Sequence, residues 1–82
     1  MKAYGYDKND EEYDKIIELS QVTLSCNKFD IDKIINFLIE VKKEMGNKKV
    51  EDEYHWHYRD YNDSWNESES DLIIFTDESR ED

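Results

Sequence analysis

The stretch Asn27-Lys28-Phe29-Asp30-Ile31-Asp32-Lys33-Ile34-Ile35-Asn36-Phe37-Leu38-Ile39-Glu40-Val41-Lys42-Lys43-Glu44-Met45-Gly46 decides how this chain folds. Ile31, Ile34, Ile35, Leu38, Val41 and Met45 recur at helical spacing, and Phe37 widens the stripe. Residues three and four apart share one face of a helix, so the pattern predicts an amphipathic helix over 28–45. Asn27 is a good N-cap, and the charge of Asp30 in the first turn favours the helix dipole. Lys42 and Lys43 lie near the other end, where cations are favoured, and Gly46 offers a left-handed stop. We expect the stripe to be a core face, because the flanking strands need something to pack against.

Downstream, residues 47–53 read as a charged connection. The next segment, Tyr54-His55-Trp56-His57-Tyr58-Arg59-Asp60-Tyr61, packs four aromatics and both histidines into eight positions. Read as a strand over 53–61, its side chains alternate faces. Tyr54, Trp56 and Tyr58 then cover a core, while His55, His57 and Arg59 share the opposite face. Residues 62–70 are polar and turn-like, with Trp65 alone among them. Residues 71–76 carry Leu72, Ile73, Ile74 and Phe75 in a row, which predicts a strand buried on both faces or in an interior position. The acidic residues 77–82 are expected to be a frayed tail.

Upstream, residues 16–26 read as a long strand. Val22, Leu24 and Cys26 fall on one face, but Ile17 and Leu19 have the opposite parity. The slip near Ser20 implies either a bulge or a first half covered on both faces. Residues 8–14 read as an acidic loop, and residues 1–6 as a short edge strand or an arm. The expected fold is α+β: a small sheet of three to four strands with one long helix packed on one face. We expect one domain over 1–82, with its folded part at about 16–76. A single helix leaves the other sheet face open, which is a structural reason to expect a binding surface there.

Composition narrows the function. The chain has 82 residues. A domain of that size builds one thin core, burying roughly 60–65% of the surface its unfolded form exposes. Twenty-two acidic residues against eleven basic ones give a formal net charge of −11. That balance opposes nucleic acid and anionic membrane surfaces, both of which need Lys and Arg. It suits a basic protein partner, which such a field would steer in. The single Cys26 excludes an internal disulfide or a cysteine zinc cluster; its setting suggests a small buried hydrophobe in a reducing cytoplasm. The first fifteen residues hold no apolar signal core, and no run is long enough to span a bilayer.

No catalytic constellation is visible. The serines sit in no nucleophile motif, and two glycines cannot make a phosphate loop. We expect no enzymatic activity and no cofactor. His55 and His57 point the same way on a strand, but with Glu53 they make an incomplete zinc set, so no metal site is expected. The candidate partner-binding residues are His55, His57, Arg59, Asp60, Tyr61 and Trp65. Trp65 either caps the thin core or protrudes as an anchor. Two other readings of the chain remain: a small metal-binding domain built on the His-x-His strand, and an adaptor without a dedicated ligand.

The order of these pieces resembles a family of small bacterial proteins predicted to be immunity proteins of polymorphic toxin systems. The resembling features are Leu19-Ser20-Gln21-Val22-Thr23-Leu24, then Asn27 opening a helix through Phe37-Leu38-Ile39-Glu40 to Glu44-Met45. They continue through His55-x-His57-Tyr58-x-Asp60-Tyr61 and Trp65 to Asp71-Leu72-Ile73-Ile74, covering most of 16–76. Trp56 stands where the family is more often polar, and Ser70 where a proline is expected beside Asp71. The resemblance implies an α+β fold and neutralisation of a toxin by binding it. The acidic charge accords with that role, because many toxin sites that handle nucleic acid are basic.

Overall fold

The computed structural model describes residues 1–47 and 54–76. Among them the order is β1 (Ala3–Gly5), β2 (Ile17–Leu19), α1 (Lys28–Asn47), β3 (Tyr54–His57), a 3-10 turn (Tyr58–Tyr61) and β4 (Ile73–Thr76). The fold is α+β, with the N-terminal strand present. Of the connection predicted over 47–53, Asn47 belongs to the helix and residues 48–53 lie outside the described residues, as does the tail at 77–82.

The helix starts as its sequence dictates. Asn27 Oδ1 accepts the Asp30 N–H at 2.9 Å, and Asp30 Oδ2 accepts the Asn27 N–H at 3.1 Å. This reciprocal pair satisfies two donors that would otherwise have no partner in the helix. Its end departs from expectation. Gly46 has no positive φ, and the helix runs through it to Asn47.

The face α1 buries is also turned from the predicted stripe. Phe37 and Val41 are buried, at 1% and 3% exposure, and Ile34 packs beside them. Leu38, expected in the core, is 43% exposed, and Ile31, Ile35 and Met45 are exposed with it. The apolar arc of α1 is wider than one two-stranded hairpin can cover. The ring of Phe37, which offers the largest area, takes the covered part.

The strands form two separate antiparallel pairs, β1–β2 and β3–β4, in place of the single sheet of three to four strands expected. The long strand predicted over 16–26 is three residues, because the chain bends at Ser20 and makes no ladder beyond it. The parity slip is therefore the end of a strand, neither a bulge nor a doubly covered segment. Val22 and Leu24 are exposed, and Cys26 is half-buried outside any strand. In the first pair, a side chain on Gly5 would begin 3.1 Å from Leu19 Cδ1, so glycine lets β2 approach closely.

The second pair carries the core. Its register sets Tyr54 opposite Thr76, His55 opposite Phe75, Trp56 opposite Ile74 and His57 opposite Ile73. Trp56 and Ile74 pack with the α1 residues Phe37 and Val41, Trp56 at 3% exposure, and Thr76 is buried on the same side of the pair by strand alternation. β3 stops at His57, not at residue 61. There the chain coils into the 3-10 turn, and the Tyr58 N–H donates to the Leu72 carbonyl at 2.8 Å. Tyr58 still reaches the core beside Phe37, Val41 and Trp56. The four-residue apolar run is not buried on both faces: Ile73 and Phe75 point outward at 49% and 53% exposure.

Polar contacts tie α1 to the C-terminal half of the chain. Glu44 Oε2 accepts from the Trp56 indole N–H and, at 3.4 Å, from the Tyr61 hydroxyl. The Lys33 ammonium reaches Asn62 Oδ1 at 3.2 Å and the Ser64 hydroxyl. Buried Asn62 donates through Nδ2 to the Tyr58 hydroxyl at 2.9 Å. Every buried side-chain N or O among the described residues has a partner, as a thin core requires.

Candidate functional site

The outward face of β3–β4 is the surface on which the sequence-derived candidates meet. Strand alternation puts His55 and His57 there, and the register adds Phe75 and Ile73 directly across from them. The imidazole rings lie 5.0 Å apart between centroids, with their planes at 74°. The result is a small patch of two imidazoles and two half-exposed apolar side chains, backed by a hairpin whose other face is covered by α1.

Asp71 closes one end of the patch. Its Oδ2 lies 2.7 Å from His57 Nδ1, and its Oδ1 accepts the Arg59 backbone N–H at 3.0 Å. The Arg59 Nε lies 3.8 Å from the same Oδ2. The carboxylate thereby pins the 3-10 turn to the chain just before β4 and orients the His57 ring. Asp71 and His57 are partly covered, whereas the Arg59 side chain is half-exposed. A partly covered contact of this kind holds geometry better than an open surface one.

The remaining candidates go elsewhere. Tyr61 turns toward the helix, its ring 5.2 Å from that of Phe37 and its hydroxyl on Glu44. Asp60 is exposed in the 3-10 turn. The strand parity that grouped these residues with the histidines ends at His57, because a 3-10 turn rotates successive side chains by about 120°. Trp65 packs against the core, and its indole N–H donates to the Ser70 carbonyl at 3.0 Å. Of its two expected roles, the capping one fits this placement.

Sequence reasoning missed Ile73, Phe75 and Asp71 as members of this surface. The parity of residues 72–76 carried a signal, since Leu72, Ile74 and Thr76 alternate with Ile73 and Phe75. Only the register of β3 against β4 makes that signal usable.

The tyrosine hydroxyls near the core are shifted. Burial pushes Tyr58 above its ordinary value, with the Asn62 hydrogen bond opposing it. Burial also raises Tyr61, and the neighbouring Glu44 carboxylate adds to the effect. Both phenols stay protonated donors or acceptors at neutral pH. Among the described residues, no three or more His, Cys, Asp or Glu side chains are grouped to hold a metal ion. Nor is any described helix long and apolar enough to cross a membrane. No protein-family model, no curated protein and no solved structure matches this chain.

Proposed function

We propose that this chain is a non-enzymatic protein-binding module, an immunity protein that neutralises a cognate bacterial toxin in the cytoplasm by direct contact. The observation that carries the reading is the outward face of β3–β4. Ile73 and Phe75 are each about half exposed beside His55 and His57, on a hairpin whose other face is already packed. Apolar side chains set among hydrogen-bonding groups make a contact surface that a partner can desolvate and orient upon. The net charge of −11 fits a basic toxin domain and opposes nucleic acid or an anionic membrane. The resemblance to predicted immunity proteins points the same way. The chain performs no turnover of its own in this role; it occludes.

The test is binding kinetics against the product of an adjacent toxin-like reading frame. If charge steers the encounter, the association rate falls as salt rises, since physiological ionic strength screens beyond about 8 Å. Phe75→Ala and His57→Ala should speed dissociation, because contact at the patch centre acts mainly on the off-rate. Unchanged dissociation in both variants, with the fold intact by circular dichroism, removes this face from the interface.

A further inference from the structure

We propose that His55 and His57 form a two-imidazole clamp for an exchangeable divalent transition-metal ion of the copper, nickel and zinc group. The first support is ring spacing. A metal-bound imidazole holds its nitrogen about 2.0–2.1 Å from the ion, which sets the ring centre at roughly 3.2 Å. Two such rings subtend about 5.2 Å at a tetrahedral angle and about 4.5 Å at a right angle. The observed centroid distance of 5.0 Å lies between these values. The spacing of the two imidazoles on the outward face of β3 is therefore one that a shared ion can bridge.

The second support is the tautomer. Asp71 Oδ2 lies 2.7 Å from His57 Nδ1, and an ionised carboxylate can only accept. Nδ1 therefore carries a proton, which leaves Nε2 as the nitrogen that can face an ion. A carboxylate behind the non-ligating nitrogen is the outer-shell arrangement that orients metal-binding histidines and raises their basicity. Asp71 is itself held in place by the Arg59 backbone N–H at 3.0 Å. Phe75 and Ile73 lie directly across the ladder from the two histidines.

Ligand chemistry defines the ion. Imidazole nitrogens suit copper, nickel and zinc, whereas calcium and magnesium want oxygen. Two protein ligands leave the other positions to water, so the ion exchanges and plays no structural part in the fold. The clamp does not depend on the toxin-binding reading, and its test uses metal alone.

The experiment is a calorimetric titration of the full chain with Ni²⁺ and with Cu²⁺, joined to electron paramagnetic resonance of the copper-loaded protein. The expected result is one binding event, with hyperfine coupling from two imidazole nitrogens. His55 is exposed, so His55→Ala should keep the fold while losing one nitrogen signature. Its affinity should fall about 10²-fold, the effective-concentration advantage of a linked second ligand. His57→Ala should match it; if that variant does not fold, His55→Ala decides alone. Nitrogen-15 shifts of the metal-free imidazole should show the proton of His57 on Nδ1. Unchanged Ni²⁺ affinity in His55→Ala would mean that carboxylates bind the ion, and a proton on Nε2 of His57 would mean that the clamp is not poised. Either result overturns the proposal.

Discussion

Phe37→Ala and Leu38→Ala, neighbours on one helix, should differ in cost several-fold. Phe37 is 1% exposed, and its ring lies 5.6 Å from that of Tyr58 and 5.2 Å from that of Tyr61. Truncating a core Phe to Ala costs about 3–5 kcal/mol through lost transfer energy and the cavity left behind. The two ring contacts, worth about 0.5–1.5 kcal/mol each beyond area, push the cost toward the top of that range. Leu38 is 43% exposed. Full burial of a Leu is worth about 1.5–3 kcal/mol, and a little over half of this side chain is covered, so its loss should cost about 1 kcal/mol. A domain of this size is stable by roughly 4–12 kcal/mol, so the first change threatens the fold and the second does not. Urea unfolding followed by tryptophan fluorescence and far-UV circular dichroism gives both numbers from the midpoints, provided the slopes agree. Equal losses, or a larger loss for Leu38→Ala, would mean that α1 is turned by about 100° on its axis, with the isoleucine–leucine side inward.

Removing the N-cap by Asn27→Ala should cost about 1 kcal/mol. Asn27→Ala with Asp30→Ala should cost less than the sum of the two, because each side chain serves the other's backbone. A double-mutant cycle in urea checks this; strict additivity would show that the two bonds act independently. Alkaline pH should unfold the chain. Tyr58 and Tyr61 have raised folded values, so their stabilisation is complete below the unfolded value near 10 and is lost as pH climbs through the folded values. Absorbance at 295 nm, tracked with circular dichroism, should show late phenol ionisation coinciding with unfolding; ionisation of every tyrosine together near 10 with the fold retained would contradict burial as the cause.

The helix was legible because its signals are local. Asn27, Asp30 and the run from Ile31 to Val41 each act within a turn of one another. Which side of the helix faces inward was not, since the apolar arc contains both Phe37 and Leu38 and only the partner surface selects between them. Residues 21–26 alternate as a strand should, yet alternation supplies no partner, and without a ladder Val22 and Leu24 stay exposed. The end of β3 at His57 carried no glycine or proline to announce it; the Tyr58 bond to Leu72 and the Asp71 contacts impose the turn from a distance. His55 and His57 were correctly grouped because strand parity needs only neighbours. Asp71, Ile73 and Phe75 were not joined to them because register is a long-range property.

Every member of the core cluster, from Ile34 to Ile74, comes after the helix begins. The β1–β2 hairpin adds nothing to it among the described residues, although Lys8 donates to the Ser68 carbonyl at 2.9 Å. An isolated two-stranded hairpin is marginal in water. The first hairpin in sequence is therefore expected to open more readily than the part of the chain that holds the core cluster. Amides of β1 and β2 can open to solvent while Phe37, Trp56 and Tyr58 stay packed. A protease or an N-terminal fusion would meet the hairpin long before it disturbed the helix, and a cut ahead of β4 would strip Leu72 and Ile74 from the core and undo it.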